Sequence, residues 1–423
     1  MANRSTIFTE SQNCRGWKGP LEIIESNPPA KAGSLHHVTQ VGVQAGLEYL
    51  QRRRLHHLPG QPYSAVDTNP LSVYVMQPIW NKIIKIVPLW IAPNLLTFSG
   101  FVMILVNYFL ISFYDWDYTA SGNPGRVPTW VWLFSAFTTF CAYALDSIDG
   151  KHARRTQSSS PLGELFDHGL DSWATSIFVL SFFSVCSRDN GKTGVSVYTM
   201  YMYLSIVLFN FMCSHWEKYN TGVLFLPWGY DLSQVLIAAY LLTGIVGVEV
   251  WQKPFLLGYY ITDILVILLI GKCLNPWRTL LAHLRKTLKN DSLYEGLLPL
   301  VSPLLLFMLL TVWVVLSPGN ILAKQPRLFL WMVGVTFSNV ICKVIICQMS
   351  STQPELLHWF LFPLALVVYA AISGLLGQAE EAVLGAFTAL VTAAHVHYGI
   401  CVGRQLSEHF NIYIFSLKKR VQE

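Results

Sequence analysis

The sequence predicts an all-α fold: a polytopic membrane helical bundle of about ten transmembrane helices, preceded by an N-terminal interfacial amphipathic helix. Three observations predict it. The 423 residues are 53% hydrophobic and only 13% charged, too apolar for an ordinary soluble chain. Apolar runs of about the twenty residues needed to cross a bilayer recur along the sequence. Gly, Pro and Asn punctuate the intervals between them, as in "SGNPGRVP" and "LSPGN".

Residues 1–62 read as a disordered leader ahead of a membrane domain at 63–417 and a short cytosolic tail at 418–423. The leader mixes Ser, Pro, Gly, His and Gln without periodicity and carries the basic run Arg52-Arg53-Arg54. It has no apolar core behind a basic start, so it does not read as a cleavable signal peptide. The stretch "LSVYVMQPIWNKIIKIVPLW" (71–90) interrupts its apolar residues with Lys82 and Lys85, flanked by Trp80 and Trp90. That pattern suits a helix lying in the interface. Spans are then expected near 95–114, 129–147, 166–186, 197–215, 231–250, 255–275, 297–317, 328–348, 356–376 and 382–402.

Loop charges orient these spans. With the N-terminus inside, the inner loops hold Lys151, Arg154, Arg155, Lys218, Arg278, Arg285, Lys286 and Lys289. The outer loops hold Arg126, Arg188, Lys192, Lys253, Lys324 and Arg327. Both termini are therefore expected in the cytosol. The net charge of +5 reports topology and gives no nucleic-acid surface. The eight Cys form no CxxC pair and lie mostly within apolar runs, which argues against a disulfide framework or a zinc site. No internal repeat supports an inverted-repeat transporter.

Acidic residues beside a bilayer are costly, yet "LDSIDGKHARRTQSSSPLGELFDHGLDSW" (145–173) carries four aspartates. Asp146 and Asp149 are spaced i, i+3 at a helix end, and Asp167 and Asp171 i, i+4 at the start of the next. Each pair shares a helix face. Two adjacent helices that present such pairs at one depth make a cluster whose charges need cations. Hard oxygen ligands suit Mg²⁺ or Mn²⁺, and this many carboxylates suit two ions. Gly150 and Gly163 let a ligand approach the backbone, Ala153 keeps the wall thin, and Arg154 offers a fork for phosphate oxygens. Metals, Arg and small residues together describe a diphosphate site. A cation transporter with an acidic intramembrane site is the reading from another class, but it requires no Gly, Ala or Arg at these positions.

The spacing Asp146-x-x-Asp149-Gly150-x-x-Ala153-Arg154, eight residues, then Gly163-x-x-x-Asp167-x-x-x-Asp171 resembles the CDP-alcohol phosphatidyltransferase signature at every fixed position. "APNLLTFSG" (92–100) is similar to the family's Pro-Asn-x-x-Thr element. "YSAVDTNPLS", "SHWEKYNTG", "LPWGYD", "CQMSST" and "AHVHYG" resemble the branch that handles ethanolamine and choline. The likeness covers about 63–417 and leaves the leader without a counterpart. The vertebrate selenoprotein form of that branch continues past "FSLK" into a selenocysteine tail that this sequence does not show.

The resemblance implies transfer of phosphoethanolamine from CDP-ethanolamine to diacylglycerol at the endoplasmic reticulum membrane or the Golgi, facing the cytosol. A choline-specific or dual-headgroup enzyme is the near alternative, because the signature does not encode the headgroup. It further implies Asp146, Asp149 and Asp167 as metal ligands, with Asp171 at a second ion or acting as base. Gly150, Ala153, Arg154, Gly163 and Asn94 would line the CDP site. His168, beside Asp167, is the first candidate for the base. Glu217, Lys218 and Tyr219 read either as chamber residues or as an interfacial charge pair with a belt aromatic. His395 and His397, two apart, read as structural. Membrane lipid is the other expected partner, nucleic acid is not, and a homodimer is left open.

Overall fold

The computed structural model describes residues 65–67, 72–123, 125–186, 195–226, 232–254, 258–261, 264 and 292–418. Strand β1 (Ala65–Asp67) pairs in parallel with β2 (Leu224–Leu226) in the register Ala65↔Leu224. The remaining elements are helical. In chain order they are α1 (Gln77–Ile83), α2 (Pro93–Tyr114), α3 (Thr129–Arg155), α4 (Pro161–Val185) and α5 (Val197–Thr221). After β2 come α6 (Leu232–Val246), α7 (Leu293–Leu316), α8 (Ile321–Lys324), α9 (Pro326–Ser350), α10 (Leu361–Ile372) and α11 (Glu380–His409). Among the described residues, six helices (α2, α3, α5, α7, α9 and α11) are long and apolar enough to cross a membrane. In lipid a backbone must satisfy its own hydrogen bonds, which leaves helices as the form of such apolar runs.

Helix α9 is the central post: 89% of its apolar window is buried. It packs against α4, α5, α7 and α11. With no hydrophobic force between helices in lipid, close approach depends on small residues. At Gly334 a Cβ would stand 2.6 Å from Ser176 Cβ of α4, a distance no real pair adopts. At Gly100 of α2 a Cβ would stand 3.1 Å from the Ala142 carbonyl oxygen of α3. Helix α2 thus seats directly on the backbone of α3, and it also packs on α4.

One end of this core is pinned by charge. Arg327, at the start of α9, is 1% exposed. Its guanidinium donates to Ser112 Oγ at 2.9 Å, to Ser184 Oγ at 2.7 Å and to the Trp116 carbonyl at 3.1 Å. It also bonds the Asp115 carbonyl, faces the Asp115 carboxylate at 3.9 Å, and lies 3.9 Å over the Tyr118 ring. Burial pushes the Asp115 carboxyl above its ordinary value, and the charge of Arg327 pulls it back. The loop charges place Arg327 in an outer loop; it is instead a buried tie joining α2, α4 and α9.

Three expectations change. The interfacial helix is confined to α1, entered through a π-helical turn at Ser72–Met76. Trp80 does not sit at an interface: it is 1% exposed, edge-on to Tyr143 at 5.3 Å. A large ring beside an apolar cluster of Ile84, Leu96 and Ile148 gains more from burial than from the interface. Trp90 is 77% exposed, as an interfacial residue would be. The spans at 231–250 and 356–376 contract to helices of 15 and 12 residues. Gly247 (φ +105°) ends the first, and Gly374 (φ +75°) lies just past the second, both in backbone that side chains disfavour. Nine of the ten expected spans coincide with helices. The tenth, at 255–275, lies largely outside the described residues, as does the leader.

The Gly334 contact gives a direct test. Gly334→Ala should destabilise the bundle by about 1–3 kcal/mol through overpacking. A thermal melt in detergent checks this, and an unchanged midpoint would show that α4 and α9 can separate without cost.

Candidate functional site

The acidic stretch becomes the end of α3, a tight turn, and the first half of α4. Helix α3 closes with His152, Arg154 and Arg155 in its last turn, where cations meet the negative end of the helix dipole. Gln157, at φ +55°, reverses the chain. Ser160 then caps α4, accepting from the Gly163 N–H at 3.1 Å, and Pro161 opens the helix. Each feature is local, so the sequence alone builds this hairpin.

Tertiary packing then assembles the carboxylates. Asp146, Asp149 and Asp167 each place an oxygen within 4.8 Å of the others. Asp149 is 5% exposed and accepts from Thr97 Oγ1 of α2 at 2.5 Å and from the Gly150 N–H. Asp171 lies outside this triplet, one turn along α4. His168 stands between the two α4 acids, its Nδ1 4.0 Å from Asp167 and 3.9 Å from Asp171. The donor set is all carboxylate oxygen, without thiolate, which fits a hard divalent cation such as Mg²⁺ or Mn²⁺.

The small and basic positions line up beside the triplet. Gly150 is exposed, and a Cβ there would meet only Arg154 Nη1, at 3.8 Å. Ala153 is half-buried. The Arg154 guanidinium is exposed and makes no hydrogen bond among the described residues. Arg155 is occupied instead, donating to the carbonyls of Ile84 and, at 2.8 Å, Val87. Gly163 faces Asn94, whose Oδ1 lies 3.4 Å from where a Cβ would sit.

Family comparison decides what kind of protein carries this arrangement. Residues 90–274 match the model for CDP-alcohol phosphatidyltransferase. Ethanolaminephosphotransferase 1 of Mus musculus is 51% identical over 385 residues, which covers 89% of this chain and 96% of that protein. This chain belongs to the CDP-alcohol phosphatidyltransferase family. The Homo sapiens ethanolaminephosphotransferase 1 is 50% identical over 384 residues, with the same coverage of each chain. Choline/ethanolaminephosphotransferase 1 of Arabidopsis thaliana is 28% identical over 386 residues, covering 85% of this chain and 95% of that one. Family membership makes the chain a multi-pass membrane transferase and sets the transporter reading aside.

Within the family frame, the structure adds residues that sequence reasoning missed. Thr97 belongs to the quoted "APNLLTFSG" element, and its hydroxyl ties α2 to Asp149. Glu164 follows Gly163 and pairs with Lys218 of α5 at 2.5 Å, both largely buried. Gln348 of α9, oriented to satisfy its neighbours, donates to His215 Nδ1 at 3.3 Å and accepts from Lys218 Nζ at 3.2 Å. The His215 ring meets His168 edge-on at 5.5 Å. Glu217, Lys218 and Tyr219 are all buried, which rules out a solvated charge pair and belt aromatic at the interface. His395 is buried between Ser338 Oγ (3.1 Å) and Asn339 Nδ2 (3.3 Å), while His397 is exposed on another side of α11.

Replacing one carboxylate at a time tests the cluster. Asp146→Asn, Asp149→Asn and Asp167→Asn should each lose the thermal stabilisation that Mn²⁺ gives the purified protein while remaining monodisperse. A variant that keeps the full Mn²⁺ shift does not hold the ion.

Proposed function

We propose that this chain transfers phosphoethanolamine from CDP-ethanolamine to 1,2-diacylglycerol, giving phosphatidylethanolamine and CMP. The observation that carries the reading is its 51% identity to mouse ethanolaminephosphotransferase 1 across 96% of that protein. The eight signature residues, all in place over 26 positions, support it.

In this reading Asp146, Asp149 and Asp167 hold two Mg²⁺ or Mn²⁺ ions, with Asp171 on the second ion or serving as base. When bound, such ions neutralise the diphosphate and the departing CMP. Gly150, Ala153 and Gly163 give the nucleotide room, Arg154 binds a phosphate oxygen, and Asn94 stands at the edge of that wall. Arg154 suits the role because its guanidinium is exposed and uncommitted.

The diacylglycerol hydroxyl oxygen bonds to the phosphorus that carries ethanolamine. The bond from that phosphorus to the bridging oxygen breaks, and CMP leaves with the electron pair. A neutral alcohol needs a base, and we assign His168 to take its proton. Its place between Asp167 and Asp171 supports this, because it sets the ring directly beside the acidic cluster where the reacting phosphorus would lie. The basic inner loops support a site that faces the cytosol, and we assign the chain to the endoplasmic reticulum or Golgi membrane from its family resemblance. We further assign residues 63–417 to the membrane domain, on the extent of the family resemblance, with 1–62 as a leader and 418–423 as a tail.

Membranes containing the chain should convert diacylglycerol and labelled CDP-ethanolamine to phosphatidylethanolamine, and chelation should abolish the reaction. Predominant transfer from CDP-choline would replace the headgroup assignment, and no transfer from either donor would sink the reading. His168→Ala should lower kcat by about two to four orders of magnitude with little change in CDP-ethanolamine affinity. Near-normal turnover in that variant would move the base to Asp171.

A further inference from the structure

The C-terminal segment after α11 turns back onto the site. Asn411 adopts φ +53°, and the Ile412 N–H donates to the Ser407 carbonyl at 3.0 Å while Ser407 Oγ donates to the Ile412 carbonyl at 2.5 Å. This reversal brings Ile414 and Phe415 to the starts of α2 and α4. The Ile414 carbonyl accepts from Asn94 Nδ2 at 3.0 Å, across 320 residues of sequence. The Phe415 ring lies 5.5 Å from Phe98 of α2 and 5.6 Å from Phe166 of α4, and those two rings are 6.3 Å apart.

Each contact falls beside a residue of the site. Phe98 follows Thr97, which bonds Asp149, and Phe166 precedes Asp167. On a helix, consecutive side chains point about 100° apart, so rings on the outer face leave the neighbouring polar groups turned elsewhere. Asn94 is held at one end: its Nδ2 is committed to Ile414, and that turns Oδ1 toward Gly163. Without the Ile414 carbonyl, the Asn94 amide could rotate and present either end to the nucleotide wall.

We infer that Asn411–Lys418 is a strap that sets the nucleotide wall, with Phe415 as a positioning residue for Asn94 and for the α2–α4 junction. This inference rests on the proposed reaction for its substrate. Phe98 and Phe415 are 40% and 46% exposed, so the ring cluster orders a local surface and does not hold the bundle together.

The test separates positioning from folding. Phe415→Ala should raise KM for CDP-ethanolamine about tenfold, the size expected for losing an aromatic cluster, with kcat within about twofold of wild type. Phe415→Leu, which keeps bulk, should recover part of the loss. Asn94→Ala should raise KM as well, and the double variant should be no worse than the poorer single one, because the two act through one contact. The thermal shift produced by CMP should shrink in the same order. Wild-type KM and CMP shift in a stable Phe415→Ala protein would overturn the inference, as would full additivity with Asn94→Ala. If the wild type uses no CDP-ethanolamine, the proposed reaction fails by itself. The strap then stands or falls on the CMP shift, and an equal shift in wild type and Phe415→Ala overturns it.

Discussion

Three carboxylates within 4.8 Å of one another repel, and the surrounding structure is arranged to hold them there. Asp146 and Asp149 arrive on one helix and Asp167 on the next, so the cluster exists only while α3 and α4 keep one relative depth. Helix α2 sets that depth. It sits against the α3 backbone at Gly100, packs on α4, and reaches Asp149 through Thr97. A shift of one helical turn, about 5.4 Å, would take a carboxylate out of reach of the others.

The two ends of the bundle handle charge in opposite ways. At the Arg327 end, a guanidinium is matched by five neighbouring oxygen-bearing groups and a tyrosine ring, so the buried charge is compensated within the protein. At the aspartate end the negative charge exceeds what nearby side chains offset. Lys218 is committed to Glu164 and Arg155 to backbone carbonyls, which leaves Arg154 exposed. An acidic cluster beside an uncommitted guanidinium is suited to a divalent cation together with a polyanion, which are the two components a diphosphate donor brings.

Around that cluster the polar side chains form an interlocked wall. Glu164, Lys218, Gln348 and His215 connect α4, α5 and α9 beside His168, and their burial makes each partner costly to lose. Helix α9 contributes no acid to the cluster, yet it supplies Gln348 near the site and Arg327 at the far end. Its burial on every side makes it the reference against which the aspartate-bearing helices are placed.

Much of this was legible in the sequence because it is encoded locally. The apolar runs set the helices, since lipid leaves the backbone no other partner. The spacing from Asp146 to Asp171 set the hairpin and the faces of its acids, and Ser160-Pro161 set the start of α4. What the sequence could not contain is the distance between residues far apart along it. Trp80 looks interfacial by composition and is buried because Tyr143 and Ile148 happen to flank it. Arg327 looks like a topology charge and becomes a buried tie because Ser112, Asp115 and Ser184 converge on it. Thr97, Glu164 and the strap at Ile414–Phe415 acquire their roles from partners 52, 54 and 320 residues away. Sequence alone determined where the helices lie and how the acids are spaced along them. Tertiary structure decided which groups surround it, because side-chain pairing depends on packing between helices and not on spacing within one.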